Sequence, residues 1–294
     1  MSKKILIVGT DENFSLEKMY FRSMKSLNFN TRILNIYNLH KNILERVLWK
    51  FFKFFFFYIY RKKLINFFKK ENNFDLIIIF KGIYLDPGTL IECKKICKKA
   101  KFINIYPDDP FDLSKDISSV NVLRSIKYYD FFFIWSDDIK TKIKKKLKLN
   151  NVHILPFAYD KFLHKYSKIV KKPYYDVAFI GTADKERIKI IKTLTNYNVI
   201  VAGMGWKNIY LPKSIKKINS AVDAIKMSEI YKNSKICLNI FRKQNYNSHN
   251  MKSFEIISMG GLMLTRNSLD QRKFFRGNKA CVYYKNNNYI KKKN

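Results

Sequence analysis

Four cysteines in 294 residues are too few and too scattered for a disulfide framework. Cys93, Cys97, Cys237 and Cys281 contain no C-x-x-C pair, and no histidines stand near them at zinc spacing. Cys93 and Cys97 share a helical face and read as buried thiols, which suits a reducing cytoplasm. Glycines are missing where two nucleotide folds need them. After Gly9 a G-x-G-x-x-G loop requires glycine where Asp11 and Phe14 stand, and after Gly203 and Gly205 it requires one where Asn208 stands. There is no G-x-x-x-x-G-K-[ST] sequence either, so NAD-dependent dehydrogenases and P-loop nucleotidases are excluded. No bilayer-spanning run occurs. The apolar stretch Phe54–Tyr60 is far short of the about 20 residues a span needs, and Lys50 and Lys53 interrupt the longer segment. No secretory leader opens the chain, since Ser2-Lys3-Lys4 leads directly into a strand.

Acidic residues are scarce too, 23 against 58 basic ones, giving a formal charge of +35. Such a charge draws anions, whether nucleic acid, membrane headgroups or an acidic substrate. The kind of base argues against nucleic acid as its cause. Only ten of the 58 are arginines, whereas phosphate and base readers favour the bidentate arginine fork. Abundant Lys, Asn, Ile and Phe together match the codon bias of an AT-rich genome.

A hydrophobic content of 47% supplies a real core, and the length suits two domains of about 150 residues. KILIVG (Lys4–Gly9) is a buried strand, Ser15–Leu27 a helix and Thr31–Ile36 a strand. A basic, aromatic segment follows at Lys41–Lys70. DLIIIFK (Asp75–Lys81) is a continuous apolar run of the parallel-strand kind. A helix from Pro87 to Lys99, strands at Phe102–Ile105, Phe131–Trp135 and Val152–Leu155, and a helix at Asp137–Leu147 complete the first half. The pattern restarts with a strand at Asp176–Ile180, a helix at Lys185–Leu194, strands at Val199–Ala202 and Lys217–Val222, a helix at Ser228–Asn233, and strands at Ile236–Ile240 and Ala280–Tyr284. The alternation predicts right-handed βαβ units and two doubly wound parallel sheets of α/β class. The expected organisation is an N-terminal Rossmann-like domain over residues 1–156, a linker over 157–173, and a C-terminal Rossmann-like domain over 174–294. Ligands in such sheets sit beyond the carboxyl ends of the strands, which predicts a cleft between the two.

The stretch NSHNMKSFEIISMGGLMLT (Asn247–Thr265) anchors the functional reading. A polar loop, with Ser248 or Asn250 as helix cap, leads into an amphipathic helix, a Gly-Gly break and a short strand. Free N–H groups at the helix start attract anions, and Lys252 and Glu255 stand three residues apart on one side. The pair is suited to a diphosphate and a sugar hydroxyl pair, or is an ordinary surface ion pair.

Six segments in order resemble the spore-maturation CgeB-like glycosyltransferases. They are INIYPDDPFDL (Ile103–Leu113), NVHILPFAYD (Asn151–Asp160), DVAFIGTADKER (Asp176–Arg187), VAGMGW (Val201–Trp206), SKICLNI (Ser234–Ile240) and NMKSFEIISMGGLMLT (Asn250–Thr265). The resemblance spans roughly residues 75–285. It implies a GT-B fold, a nucleotide-sugar donor on the second domain, and a glycan, lipid-linked or protein acceptor on the first. Three departures accompany it. Lys252 stands where the family often has arginine. Asn247 stands where related retaining enzymes carry a first glutamate. The family usually continues with helices after the last strand, so a short or truncated second domain is expected.

Each site residue carries two readings. Glu255 takes the ribose hydroxyls or pairs with Lys252, and Lys252 neutralises the departing diphosphate or is solvated. Gly181 and Thr182 approach a phosphate or form a turn and helix cap. Trp206 stacks on the nucleobase or packs under the sheet. Ser248, His249 and Asn250 line the phosphate site, with His249 as a donor. Asp108 or Asp109 serves as general base for the acceptor, or both are turn residues. His153 is structural. No Asp-x-Asp metal pair is evident, so metal independence is expected, with no cofactor beyond the nucleotide sugar. The segment 41–70 is a candidate for peripheral contact with an anionic membrane at its cytoplasmic face, or a buried helix. A non-catalytic nucleotide-sugar binder and a basic nucleic-acid-binding protein are the alternative functions.

Overall fold

The computed structural model describes residues 2–36, 53–113, 118–166, 168, 170–242, 245–276 and 279–284, with backbone alone at 53, 54 and 56. The chain divides into two compact units, Met1–Leu155 and Pro156–Asn294. Each holds a six-stranded parallel sheet.

In the first unit the described elements are β1 (Lys4–Gly9), α1 (Leu16–Ser26), β2 (Asn30–Asn35), α2 (Lys53–Lys70), β3 (Leu76–Phe80), α3 (Pro87–Ile96), β4 (Lys101–Tyr106), α4 (Val120–Ser125), β5 (Phe131–Ile134), α5 (Asp137–Leu147) and β6 (Val152–Ile154). The strand order β2-β1-β3-β4-β5-β6 reverses direction of travel at β1/β3. Continuous apolar runs form β1 and β3 because a parallel sheet is covered on both faces; Ile5–Val8 and Ile77–Phe80 are all buried. Caps fix the helix starts: Ser15 accepts from Lys18 N and Asp86 from Thr89 N, with Pro87 at the first helical position. Helix α4 was not expected from periodicity, being only six residues long.

The second unit contains β7 (Tyr175–Ile180), α6 (Lys185–Ile191), β8 (Val199–Ala202), β9 (Ile215–Ile218), α7 (Ala224–Lys232), β10 (Ser234–Asn239), α8 (Met251–Ser258), β11 (Met263–Arg266), α9 (Leu269–Phe275) and β12 (Cys281–Tyr284). Its order β12-β11-β10-β7-β8-β9 reverses at β7/β10. One face of the sheet packs Ala178, Ile200, Cys237 and Met263 beneath Met227, Ile230 and Ile256, while the other packs Phe179, Val201 and Leu238 beneath Ile190 and Ile191.

Helices α3 and α6 end three residues earlier than expected, at Ile96 and Ile191, and β10 runs Ser234–Asn239 rather than Ile236–Ile240; two further boundaries differ for visible reasons. The strand expected at Lys217–Val222 lies at Ile215–Ile218, because β8 ends at Ala202, whose partner is Ile218. Helix α7 starts at Ala224 rather than Ser228, since Asp223 accepts from Lys226 N as its cap. The described part of 156–173 packs within the second unit: Phe157 N donates to His249 Nε2 at 3.0 Å, and Val170 N to Lys232 O at 3.2 Å.

Candidate functional site

In a doubly wound sheet two loops part at the point where strand order reverses, leaving a crevice at the carboxyl edge. In the second unit those loops follow β7 and β10. The first is Gly181–Asp184. Its neighbour after β8 approaches so closely that a Cβ on Gly203, at φ +139°, would lie 2.3 Å from Gly181 O. Trp206 holds the two loops together. It is fully buried, its indole N–H donates to Gly181 O at 2.9 Å, and its ring stands edge-on to Phe179. Of its two readings, the packing one therefore holds, and the ring is not presented to a base. Thr182 is exposed, and its carbonyl accepts from Arg187 Nη1 at 2.9 Å.

Arg187, on the first turn of α6, spans the crevice floor. Its other Nη donates to Ile240 O at the end of β10, and Asp184 lies 3.3 Å from Nε. Burial lowers its pKa. Beside it Tyr246 Oη donates to Glu186, and Arg266 lies 4.2 Å over the Tyr246 ring. Sequence reasoning quoted Arg187 only as part of a motif and did not single out Tyr246 or Arg266. With ten arginines against so many lysines, the arginine choice itself was the available signal.

The second loop ends in α8. Of the two proposed caps it is Asn250 that accepts from Ser253 N, at 3.0 Å, and Asn239 at the end of β10 fixes its side chain by reciprocal amide bonds of 3.0 and 3.1 Å. Ser248 instead donates to Asp270 Oδ2 at 2.6 Å. His249 is buried completely. Its Nε2 accepts from Phe157 N, which leaves the proton on Nδ1 facing Asp270 Oδ2 at 2.8 Å. Both ring nitrogens are thus spent on protein groups, and the expected role as phosphate donor gives way to a positioning one. Gln271 Nε2 reaches Ser253 Oγ. Gln271 Oε1 and the buried Thr265 Oγ1 have no hydrogen-bond partner among the described residues. Asp270 and Gln271 were missed, although S-L-D-Q (Ser268–Gln271) is a capping-box pattern that announces α9.

Lys252 and Glu255 do pair, Nζ to Oε2 at 2.6 Å, but not as a surface pair: the carboxylate is 2% exposed and the ammonium 29%. Behind Glu255, His164 accepts from Asp160 N at Nδ1, so its Nε2–H faces Glu255 Oε1 at 3.7 Å. Burial drives the Tyr231 hydroxyl pKa well upward, and the Glu255 charge adds to that. Asn247 is exposed.

In the first unit the loops that part follow β1 and β3. Lys81, just after β3, lies in the left-handed region, φ 57°, with Gly82 next at φ 71°. Its ammonium holds Asp108 Oδ2 at 2.7 Å. Asp109 accepts from Phe111 N at 2.9 Å and lies 3.4 Å from Lys142. Both expected bases are thus engaged with cations, and Asp109 also closes a turn. His153 sits in β6 between Phe131 and Phe133, as a structural residue would. Among the described residues no group of three or more His, Cys, Asp or Glu could hold a metal. An apolar cavity of about 500 Å³ lies on the α6 side of the second sheet between Leu194, Tyr197, Leu264 and Val282, fringed by Asp176 and Lys235. Its lining lacks the groups a diphosphate needs.

Residues 185–293 match the glycosyl transferase-like family. No curated protein sequence matches the chain. Solved structures do match it in fold. A UDP-forming α,α-trehalose-phosphate synthase from Burkholderia xenovorans superposes with a TM-score of 0.64 at 10% identity, over 99% of this chain and 90% of that one. The T4 phage β-glucosyltransferase gives 0.56 at 16%, over 98% and 86%. An α-glucosyltransferase in complex with UDP and a 13-mer DNA gives 0.60 at 12%, over 90% and 80%. At these identities the likeness is one of fold. The fold is that of these GT-B enzymes, and the family match covers residues 185–293 of the second unit.

Proposed function

We propose that the protein moves a sugar from a nucleotide-sugar donor held on the second unit to a hydroxyl acceptor held on the first. One observation carries this: at the β7/β10 reversal Arg187 ties the loop after β7 to the end of β10, and α8, which starts beside that edge inside the segment that matches the family, carries Lys252 paired with the buried Glu255 in its first two turns. A diphosphate fits that edge, because backbone N–H groups and cations meet there. Lys252 opposes the charge that grows on the diphosphate as the glycosidic bond breaks. Glu255, once Lys252 turns to the phosphate, accepts hydrogen bonds from the ribose. Asn250 and His249 position the turn. The acceptor is a glycan, lipid-linked or protein hydroxyl, and the reaction proceeds without metal or further cofactor. The CgeB-like subfamily and a cytoplasmic site of action belong to the same reading.

Peripheral membrane contact is part of it. Phe55, Tyr58, Lys62 and Lys69 share the outer face of α2, and Phe55 and Tyr58 are exposed. Residues 41–52 of the segment named above lie outside the described ones. No described helix is long and apolar enough to cross a membrane.

A non-catalytic nucleotide-sugar binder is the second reading, favoured by Asn247 at the position of the missing acid. Thermal-shift titration with UDP-, GDP-, ADP- and CMP-sugars, followed by incubation and nucleotide release assays, separates the two. Stabilisation with turnover supports transfer, and stabilisation without it supports the binder. Salt-sensitive DNA or RNA binding with no nucleotide-sugar response overturns both.

A further inference from the structure

Asp108 and Asp109 are both held by lysines, and a further carboxylate stands elsewhere in the first unit. At the β1/β3 reversal of the first sheet, where the crevice opens, stands Glu17. It occupies the first turn of α1, with 9% of its surface exposed. Its side chain lies flat over the end of β1: a Cβ on Gly9 would sit 2.5 Å from Glu17 Cγ and 2.7 Å from Oε1. Glycine at position 9 therefore serves the passage of this carboxylate, not a nucleotide loop. Thr10 N donates to Oε1 at 3.3 Å. Glu17 has no ion pair among the described residues; Lys81, across the crevice at the end of β3, attracts it but is bonded to Asp108.

Three further facts mark the spot. Among the described residues Lys81 is one of three non-glycine residues at positive φ, a conformation that costs on the order of 1 kcal/mol or more and persists where its surroundings impose it. Asn104 in β4 is fully buried and donates to Lys81 O at 3.3 Å, fixing that turn from beneath, while its Oδ1 has no hydrogen-bond partner among the described residues. Burial raises the Glu17 carboxyl above its ordinary range; the Thr10 amide, Ser15 and Lys81 oppose that effect without cancelling it.

Resting on the transferase reading above, we infer that Glu17 is the general base of the acceptor side and Lys81 its positioning partner. The step balances without another reactant. The acceptor O–H proton passes to a Glu17 oxygen, the acceptor oxygen forms a bond to the anomeric carbon, and the bond from that carbon to the diphosphate breaks. The electron pair leaves with the nucleoside diphosphate, and Glu17 later yields the proton to water. A single displacement of this kind inverts the anomeric centre. The groups that face Glu17 and shape its pH response are Lys81 and, through it, Asp108, with Thr10 N and Ser15 from its own loop.

The test uses the full chain and water as the probe acceptor, with UDP-, GDP- and ADP-glucose as donors. In wild type, hydrolysis should fall away on the acid side of a carboxylate titration, and the first-formed glucose, read by proton NMR, should be the β anomer. Glu17→Gln keeps an acceptor for Thr10 N and removes the base. Turnover should drop about a hundredfold or more, the acid limb should vanish, and donor affinity should stay within about twofold. Glu17→Asp, a second carboxylate variant, should restore the acid limb at reduced rate. Above the raised pKa, wild type holds a buried charge that the unfolded chain does not, so Glu17→Gln should melt no lower than wild type at pH 8. Turnover within threefold of wild type, an unchanged pH limb, a parallel loss of donor affinity, or α-glucose as first product overturns the assignment of Glu17 alone. Absence of nucleotide-sugar binding and turnover in wild type overturns the transferase reading, and this inference with it.

Discussion

The Lys252–Glu255 pair makes an asymmetric prediction about stability. The two charges touch at 2.6 Å, yet only one reaches water. Lys252→Met removes the cation and leaves a carboxylate 2% exposed, with His164 Nε2 at 3.7 Å and the Tyr231 ring nearby. Breaking a buried pair in this way costs about 3–5 kcal/mol, because the orphaned charge keeps its desolvation penalty. Glu255→Gln leaves an ammonium on a flexible stem that is already 29% exposed and can turn outward. The glutamine oxygen still accepts one hydrogen bond, so about 1–2 kcal/mol is lost. The double variant should recover part of the Lys252→Met loss, since both charges are then gone. Urea titration by circular dichroism reads the difference: with a slope of about 2–3 kcal/mol per molar, Lys252→Met should unfold about 1 M earlier than Glu255→Gln. Equal midpoints, or a larger loss for Glu255→Gln, would refute the burial argument and return the pair to the helix surface. Function divides the two oppositely. Lys252→Met should lower turnover more than nucleoside affinity, whereas Glu255→Gln should weaken nucleoside binding about tenfold.

Gly203→Ala places a Cβ 2.3 Å from Gly181 O at a φ of +139° and should cost about 2–4 kcal/mol, read as a lowered melting temperature with loss of donor stabilisation. His249→Phe keeps the ring volume but deprives Phe157 N and Asp270 of their partner; it should destabilise by about 2–3 kcal/mol and speed hydrogen exchange at Phe157. Phe55→Ser with Tyr58→Ser should lower partition onto vesicles containing phosphatidylserine about tenfold, leaving hydrolysis of the donor in solution unchanged; equal binding would remove α2 from the membrane reading.

Much of the fold was legible because parallel sheets write themselves as uninterrupted apolar runs. LIVG after Lys4-Ile5, LIIIF at β3 and VIVA at β8 admit no polar face, and the helices between them are capped by side chains visible in the sequence. What escaped was short or defined by partners. Helix α9 spans seven residues and rests on its Ser268 cap. Strand β9 ends where its neighbour ends, which IKKI alone does not disclose. The site divides in the same way. Asn250 as cap and the Lys252–Glu255 spacing follow from i, i+3 geometry. The fate of His249 depends on an amide 92 positions away and a carboxylate 21 positions away, so no local pattern reveals it. Asp108 and Asp109 looked catalytic because two acids follow a strand, yet their cations, Lys81 and Lys142, come from elements elsewhere in the chain.

The two sheets repeat one arrangement with opposite consequences. The first strand of each runs to a glycine, Gly9 at the end of β1 or Gly181 just after β7, and each sheet keeps a buried glutamate near its carboxyl edge. Glu255 has its lysine in contact on its own helix, three residues back, so the acid is held as an acceptor of hydrogen bonds and suits a hydroxyl pair that must stay bound. Glu17 has its lysine across a crevice and already committed to Asp108, so burial dominates its titration. On the proposed reading, two carboxylates in different surroundings divide into a binding group and a proton-exchanging group. Moving a lysine into contact with Glu17 should therefore abolish its acid limb without removing the carboxylate. Asp108→Asn, which frees Lys81, should shift that limb to lower pH and slow turnover, whereas a shift to higher pH would show that Lys81 does not face Glu17.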